Sequence, residues 1–183
     1  GVQTCALPIY QYEKNPAITI ITHRNYDRID NVSVFLIASP IIKKWHPQLT
    51  IGLQKQWMDI EHNSRMLSMD RPLFIGRFNN GIQFPYGWTL HVDLFFQGKG
   101  DFQNIYINKN VFMMDASLTK SFFDDRLSFN LQGIDLTHGR KDGNVIYNKH
   151  MDLTVNNVTD SREVRLTVRY KFNTTKNKYK GKG

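Results

Sequence analysis

His91 and Asp93 stand two residues apart in the stretch Trp88 to Gln97. On an extended chain both side chains leave one face, where an imidazole and a carboxylate can hold a metal ion. No further ligands cluster with them in the sequence, so no metal is assigned. Asp124-Asp125 has the composition of an acid and base pair, yet adjacent aspartates between two apolar runs are what a tight turn uses. Ser128, Asp135 and His138 are the three groups of a nucleophile, an orienter and a base. Ser128 has no elbow motif around it, so no catalytic residue is assigned and no enzyme is expected. Gly98-Lys99-Gly100 lacks the spacing of a phosphate loop. No cofactor is expected.

The elements that carry these residues are set by a period of two. In Trp88 to Gln97, the residues Trp88, Leu90, Val92, Leu94 and Phe96 fall on one face and Thr89, His91, Asp93 and Gln97 on the other, with Phe95 as the exception. In Val164 to Phe172, apolar or aromatic residues alternate with Arg165, Thr167, Arg169 and Lys171. Three cations on one face of a strand exclude a dry core on that side. The same rhythm predicts about eight long strands, near 17–24, 31–39, 48–58, 72–83, 88–97, 111–122, 126–136 and 161–172, the first two alternating poorly. Segments of about ten residues suit a tilted strand that crosses a bilayer.

The chain carries a formal net charge of +8 and a mean hydropathy of -0.45. A polar average is compatible with a membrane barrel, in which only alternate residues meet lipid. The cations are spread along the chain, and their densest run, 176–182, is terminal, so no nucleic acid is expected as partner. The single cysteine, Cys5, excludes a disulfide framework. Residues 1–9, GVQTCALPI, have no charge and no periodicity, and resemble a translated sequencing adapter. They are expected to be an artefact ahead of an open fragment, followed by a folded part at 10–173 and a basic flexible tail at 174–183.

Short turns at Pro85-Tyr86-Gly87 and Asp124-Asp125 alternate with long polar loops near 59–71, 98–110 and 137–160. Asp142-Gly143 in the last is a hairpin-turn dipeptide; with Val145-Ile146-Tyr147 and Met151 to Val155 beside it, strands are expected to continue beyond the membrane as a hairpin. Aromatic residues gather at the short-turn ends: Trp45, Phe84, Trp88, Phe122, Phe123, Tyr170 and Phe172. In a membrane barrel they would form an interfacial girdle, and Thr89, Asn130, Gln132, Arg165, Arg169 and Lys171 would face the lumen. In a soluble β-sandwich they would be a packed end.

The closing run from Ser161 to Asn173, with its arginine-led strand, terminal aromatics and Lys/Gly-rich tail, resembles outer-membrane β-barrels related to TonB-dependent receptors. Asn31-Val32-Ser33-Val34 ahead of Pro40 and Trp45, Arg77-Phe78-Asn79-Asn80 before a short turn, and Leu131 to Leu136 before a long loop are similar in the same order. The resemblance implies an all-β antiparallel transmembrane barrel in the bacterial outer membrane, of which this chain is the C-terminal portion, with short periplasmic turns and long extracellular loops. It implies outer-membrane lipid, the barrel-assembly machinery and an unknown transported ligand as partners, and TonB only through an N-terminal part with its plug. The assembly machinery reads a terminal-strand signal; counted back from Phe172, Tyr170 takes its hydrophobic position and Arg165 its polar one, while Thr167 stands where glycine is usual. Two functions remain open on the residues alone: a receptor and transporter barrel for ligand uptake, and a soluble β-sandwich binding module directed at carbohydrate.

Overall fold

The computed structural model describes residues 28–149 and 151–172 in full, and before them the backbone of four short strands. The expected tail at 174–183 and most of the segment 1–9 lie outside the described residues. In chain order the strands are β1 (Cys5–Ala6), β2 (Ile9–Tyr12), β3 (Asn15–Ile21), β4 (Arg24–Asn25), β5 (Asp30–Ala38), β6 (Trp45–Trp57), β7 (Asp59–His62), β8 (Arg65–Ser68), β9 (Leu73–Phe84), β10 (Trp88–Gln97), β11 (Gly100–Phe102), β12 (Ile105–Ile107), β13 (Val111–Phe122), β14 (Leu127–Ile134), β15 (Lys141–Tyr147), β16 (Asp152–Val158) and β17 (Glu163–Tyr170).

Seven long strands form one sheet in the order β17-β14-β13-β10-β9-β6-β5, and every pairing is antiparallel. They correspond to the last seven of the strands expected from alternation. The first expected strand, 17–24, overlaps β3, which pairs with β2 rather than with this sheet, and it runs in part outside the described residues. The expectation of eight strands needs correction: β5 to β17 alone number thirteen, because the loops expected near 59–71 and 98–110 fold back as hairpins and the hairpin within 137–160 adds β15 and β16. Among the described residues the sheet is also open rather than closed as a barrel. β5 and β17 are its two edges.

The short turns follow from local chemistry. Tyr86 and Gly87 take the left-handed conformation, at φ 62° and 74°. A Cβ on Gly87 would stand 2.8 Å from the Ser121 carbonyl oxygen, so glycine is required there on both counts. In the turn after β13, Phe123, Asp124 and Asp125 are all left-handed, a conformation aspartate tolerates better than most residues.

All three long connections contain hairpins: β7 with β8, β11 with β12, and β15 with β16. The expected turn at Asp142-Gly143 is corrected by the last of these. Both residues lie inside β15, opposite Asn157 and Asn156, and the chain reverses after Tyr147 instead. Gly143 serves a different purpose, since a Cβ there would stand 2.2 Å from Asn108 Oδ1 and 2.8 Å from the Lys109 side chain. The glycine lets the neighbouring segment approach closely enough for the Asn108 N–H to donate to the Gly143 carbonyl at 2.9 Å.

These hairpins form a cap, and the buried core lies there. Met58, Ile60 and Met69 are buried, with Ile29, Leu67, Tyr106 and Tyr147 packed against them. The tip of the β11–β12 hairpin is gripped from two sides. Gln56, 1% exposed, donates from Nε2 to the Gln103 carbonyl and accepts from the Gln103 N–H, both at 2.7 Å. Asn104 donates from Nδ2 to the Tyr147 carbonyl at 3.0 Å, and the Tyr147 N–H donates back to the Asn104 carbonyl at 2.9 Å. His62 contacts the Asn148 carbonyl oxygen through Nδ1 at 2.7 Å, and Lys149 pairs with Glu61 at 2.8 Å. Burial pushes the Asp101 carboxyl above its ordinary range, against the pull of the Arg71 N–H and guanidinium.

The grip by Gln56 gives a first prediction. In Gln56→Leu the Gln103 peptide is left unpaired inside the cap, at a cost of about 1–3 kcal/mol for each orphaned group. Amide hydrogen exchange at Gln103 should accelerate by roughly tenfold or more, while the amides shared by β10 and β13 should keep their protection.

Candidate functional site

Antiparallel register keeps residue parity across the sheet. Phe96 lies opposite Gly76 and Phe112, Leu94 opposite Phe78 and Met114, and Leu90 opposite Ile82 and Leu118. Further along, Leu118 faces Leu131, and Leu131 faces Leu166; on the other side Leu49 faces Phe78 and Val34 faces Leu53. One face is therefore apolar from edge to edge. Leu36, Leu166 and Val168 on it are 61%, 66% and 55% exposed, and among the described residues no second sheet covers it. A sandwich would bury that face. Asn80 is a polar member of the same face, and it accepts a hydrogen bond from Trp45 Nε1.

The aromatic residues expected at the short-turn end do gather there. Phe84 faces Trp88, Trp45 faces Ile82, and Phe122 faces Leu127, which in turn faces Tyr170. Phe123 follows Phe122, with ring centroids 6.4 Å apart, and Phe172 packs on Tyr170 at 4.6 Å. Lys120 lies among them, its ammonium 5.1 Å from the Trp88 and Phe122 rings and bonded to the Tyr86 carbonyl. A long stem under an aromatic rim with the charge at its border is how lysine sits at an apolar boundary.

A second aromatic band borders the same face at the cap end. It consists of Trp57, Phe74, Phe96 and Phe112, with Phe74 and Phe96 5.7 Å apart. Sequence reading by turn positions missed it. Ten residues separate Phe112 from Phe122, and Phe74 from Phe84. At about 3.4 Å per residue and a tilt of roughly 40°, that is about 26 Å, close to the roughly 25 Å apolar band of an outer-membrane barrel.

The opposite face is polar and carries the residues expected to line a lumen. Thr89 faces Thr119, Thr119 faces Asn130, and Asn130 faces Thr167, with Asn130 Nδ2 donating to Thr119 Oγ1 at 2.7 Å. The next row runs from His46 through Gly81, His91, Ser117 and Gln132 to Arg165. Arg165 is engaged by Glu163 at 2.9 and 3.0 Å. Arg169 faces Ser128, and the Lys171 N–H donates to the Arg126 carbonyl at 2.8 Å. Ser128 thus lies at the short-turn end, whereas Asp135 and His138 are at the other end of β14; the three are not brought together. Among the described residues no set of three histidine, cysteine or acidic side chains converges on a point that could hold a metal ion.

One row of the polar face is charged. Asp93 stands between Asn79 and Asp115, and Arg77 lies on the diagonal with its guanidinium 5.7 Å from the Phe95 ring. Arg140 joins them from the segment after β14. Asp135, only 1% exposed, fixes that segment. It accepts from the Gly139 N–H at 2.7 Å, the Arg140 N–H at 3.4 Å and the Ser161 hydroxyl, while its own N–H donates to Asp115 Oδ1 at 2.7 Å. Arg77, Asn79, Asp93, Asp115 and Arg140, with Phe95 and Met113, line a cavity of about 320 Å³. A second depression of about 210 Å³ shares Asn79 and Asp93 and extends past His46, Gln48 and His91. Of these, the sequence marks only His91 and Asp93 as potential chemistry. Alternation assigns Asp115 to the polar face; nothing local marks Arg140, which reaches the site through the fold of Asp135.

The model of the outer membrane protein beta-barrel family matches residues 5–170. The chain belongs to that family, whose members are outer-membrane barrels. No curated protein and no solved structure matches it. The match begins inside the segment 1–9, where β1 pairs with β4.

With the apolar face assigned to lipid, sidedness can be measured. Arginine at Val168, between Leu166 and Tyr170, should destabilise the barrel by about 2–4 kcal/mol, and arginine at the adjacent Thr167 by much less. The check is denaturant unfolding of both variants in lipid vesicles; equal losses would invert or abolish the assignment.

Proposed function

We propose that this chain forms the C-terminal part of an outer-membrane receptor and transporter barrel, related to TonB-dependent receptors, that takes up a polar ligand by binding and gating without covalent chemistry. The observation that carries this reading is the two-faced sheet: one side apolar between two aromatic bands, the other lined by amides, hydroxyls and charges around an open depression. A surface of that kind solvates a polar solute beside a lipid-facing wall. The cap, with its own core, would form the outer entrance. Lipid meets the apolar face, the barrel-assembly machinery reads the last strand through Arg165, Tyr170 and Phe172, and TonB acts through a part of the protein other than this sheet.

Ligand uptake by cells producing the protein, with and without an energised TonB system, tests the reading. Uptake should require both the protein and the energy source. Equal uptake in the two conditions would make it a passive pore, and hydrolysis of a lipid or glycan by the purified protein would overturn the non-enzymatic part.

A further inference from the structure

We propose that the depression between β9, β10 and β13 binds a small zwitterion, an α-amino acid or a short peptide with free termini. The proposal rests on the transport reading and names the class of solute. Asp93 and Asp115 stand directly opposite on neighbouring strands, an arrangement that is destabilising for like charges unless a cation lies between them. Asp115 is held by the Asp135 N–H, and among the described residues no hydrogen bond or ion pair engages the Asp93 carboxylate. Arg77 and Arg140 line the same cavity, and among the described residues neither guanidinium is paired with either carboxylate.

Four charges of both signs therefore border one cavity without a direct ion pair between them among the described residues. An anion alone would meet the two carboxylates, a cation alone the two guanidiniums, and a solute without charged groups would bring a counter-charge to neither pair. A ligand with an ammonium at one end and a carboxylate at the other satisfies both pairs, the guanidiniums engaging the carboxylate by charge-assisted, planar hydrogen bonds. Phe95 and Met113 supply an apolar wall for a side chain, and the cavity of about 320 Å³ is at the small end of ligand pockets. Asp135 is the positioning residue. It fixes Asp115 through its N–H and the Arg140 segment through its carboxylate.

The experiment is calorimetric titration of the intact barrel that contains this chain, purified in detergent, with alanyl-phenylalanine, its N-acetyl derivative and its C-terminal amide. The free dipeptide should bind, and each blocked form should bind about tenfold or more weakly, the loss of one charge-assisted contact. Asp93→Asn with Asp115→Asn should abolish discrimination against the acetylated form only. Arg77→Gln with Arg140→Gln should abolish discrimination against the amide only. No binding of the free dipeptide, or equal binding of free and blocked forms to the unaltered protein, would overturn the proposal whatever the variants do. Dipeptide binding without cellular uptake would support the site and refute transport; TonB-dependent uptake of another solute without dipeptide binding would do the reverse.

Discussion

The molecule depends on one constraint: successive strand residues point to opposite faces, and the pairing of seven strands never loses that parity. A one-residue slip of any strand would carry its apolar side chains to the polar face. From β9 through β10 to β13 the register is continuous, from Phe84 and Trp88 at the short turn to Ile75, Gln97 and Val111 at the cap. Short turns with left-handed residues at Tyr86, Gly87 and Phe123 to Asp125 set that register at one end. At the other, the cap holds the strand ends through Gln56, Asp101 and Leu73, all buried. Lipid makes the constraint stricter than water does, because a backbone group without a partner has no solvent to turn to.

Two modes of stabilisation are therefore kept apart in space. Along the sheet, hydrophobic side chains stay exposed, and what holds the strands is their ladder of hydrogen bonds in a medium that offers no competing donors. In the cap, water surrounds the chain, and order comes from a small apolar core and side-chain amides that bond to backbone. Gln56 and Asn104 act where hairpin tips meet, since a tight turn buried among other strands leaves peptide groups that only a side chain can reach. The same logic explains Asp135: a chain leaving β14 without a ladder partner needs an acceptor for the N–H groups of Gly139 and Arg140, and one buried carboxylate supplies it.

The long strands were legible because alternation over ten residues is a strong signal, and seven of the expected ranges coincide with the sheet. Residues that break the pattern mark places where another requirement prevails. Phe95 on the polar face lies beneath the Arg77 guanidinium, and Asn80 on the apolar face bonds the Trp45 indole. The cap hairpins were less legible: their strands are three to seven residues long and their order comes from contacts between segments far apart in sequence. Asp142-Gly143 is instructive. The dipeptide reads as a turn by local preference, but close approach of Asn108 and Lys109 is what requires the glycine. The charged cavity was half legible, since alternation assigns Asp93 and Asp115 to one face, whereas their adjacency is a matter of register and Arg140 arrives by a tertiary route.

The edges bring the physical argument to its last step. Among the described residues β5 and β17 each pair on one side only, and each would present a row of free N–H and C=O groups to hydrocarbon if the sheet stood alone in a bilayer. Such an edge is untenable there, so a membrane-embedded form of this sheet must continue beyond both strands until it closes. β5 bears this out in its composition. Besides Val32, Val34 and Leu36 on the lipid face, it carries Phe35 and Ile37 on the other, 56% and 63% exposed, with the Phe35 ring lying over Gly52. A strand with apolar side chains on both faces is suited to being covered on both. Next to β5, then, the polar face gives way to an apolar one at Phe35 and Ile37, while around Asp93 and Asp115 it is charged and open, so water is favoured along β10 and β13 and displaced along β5.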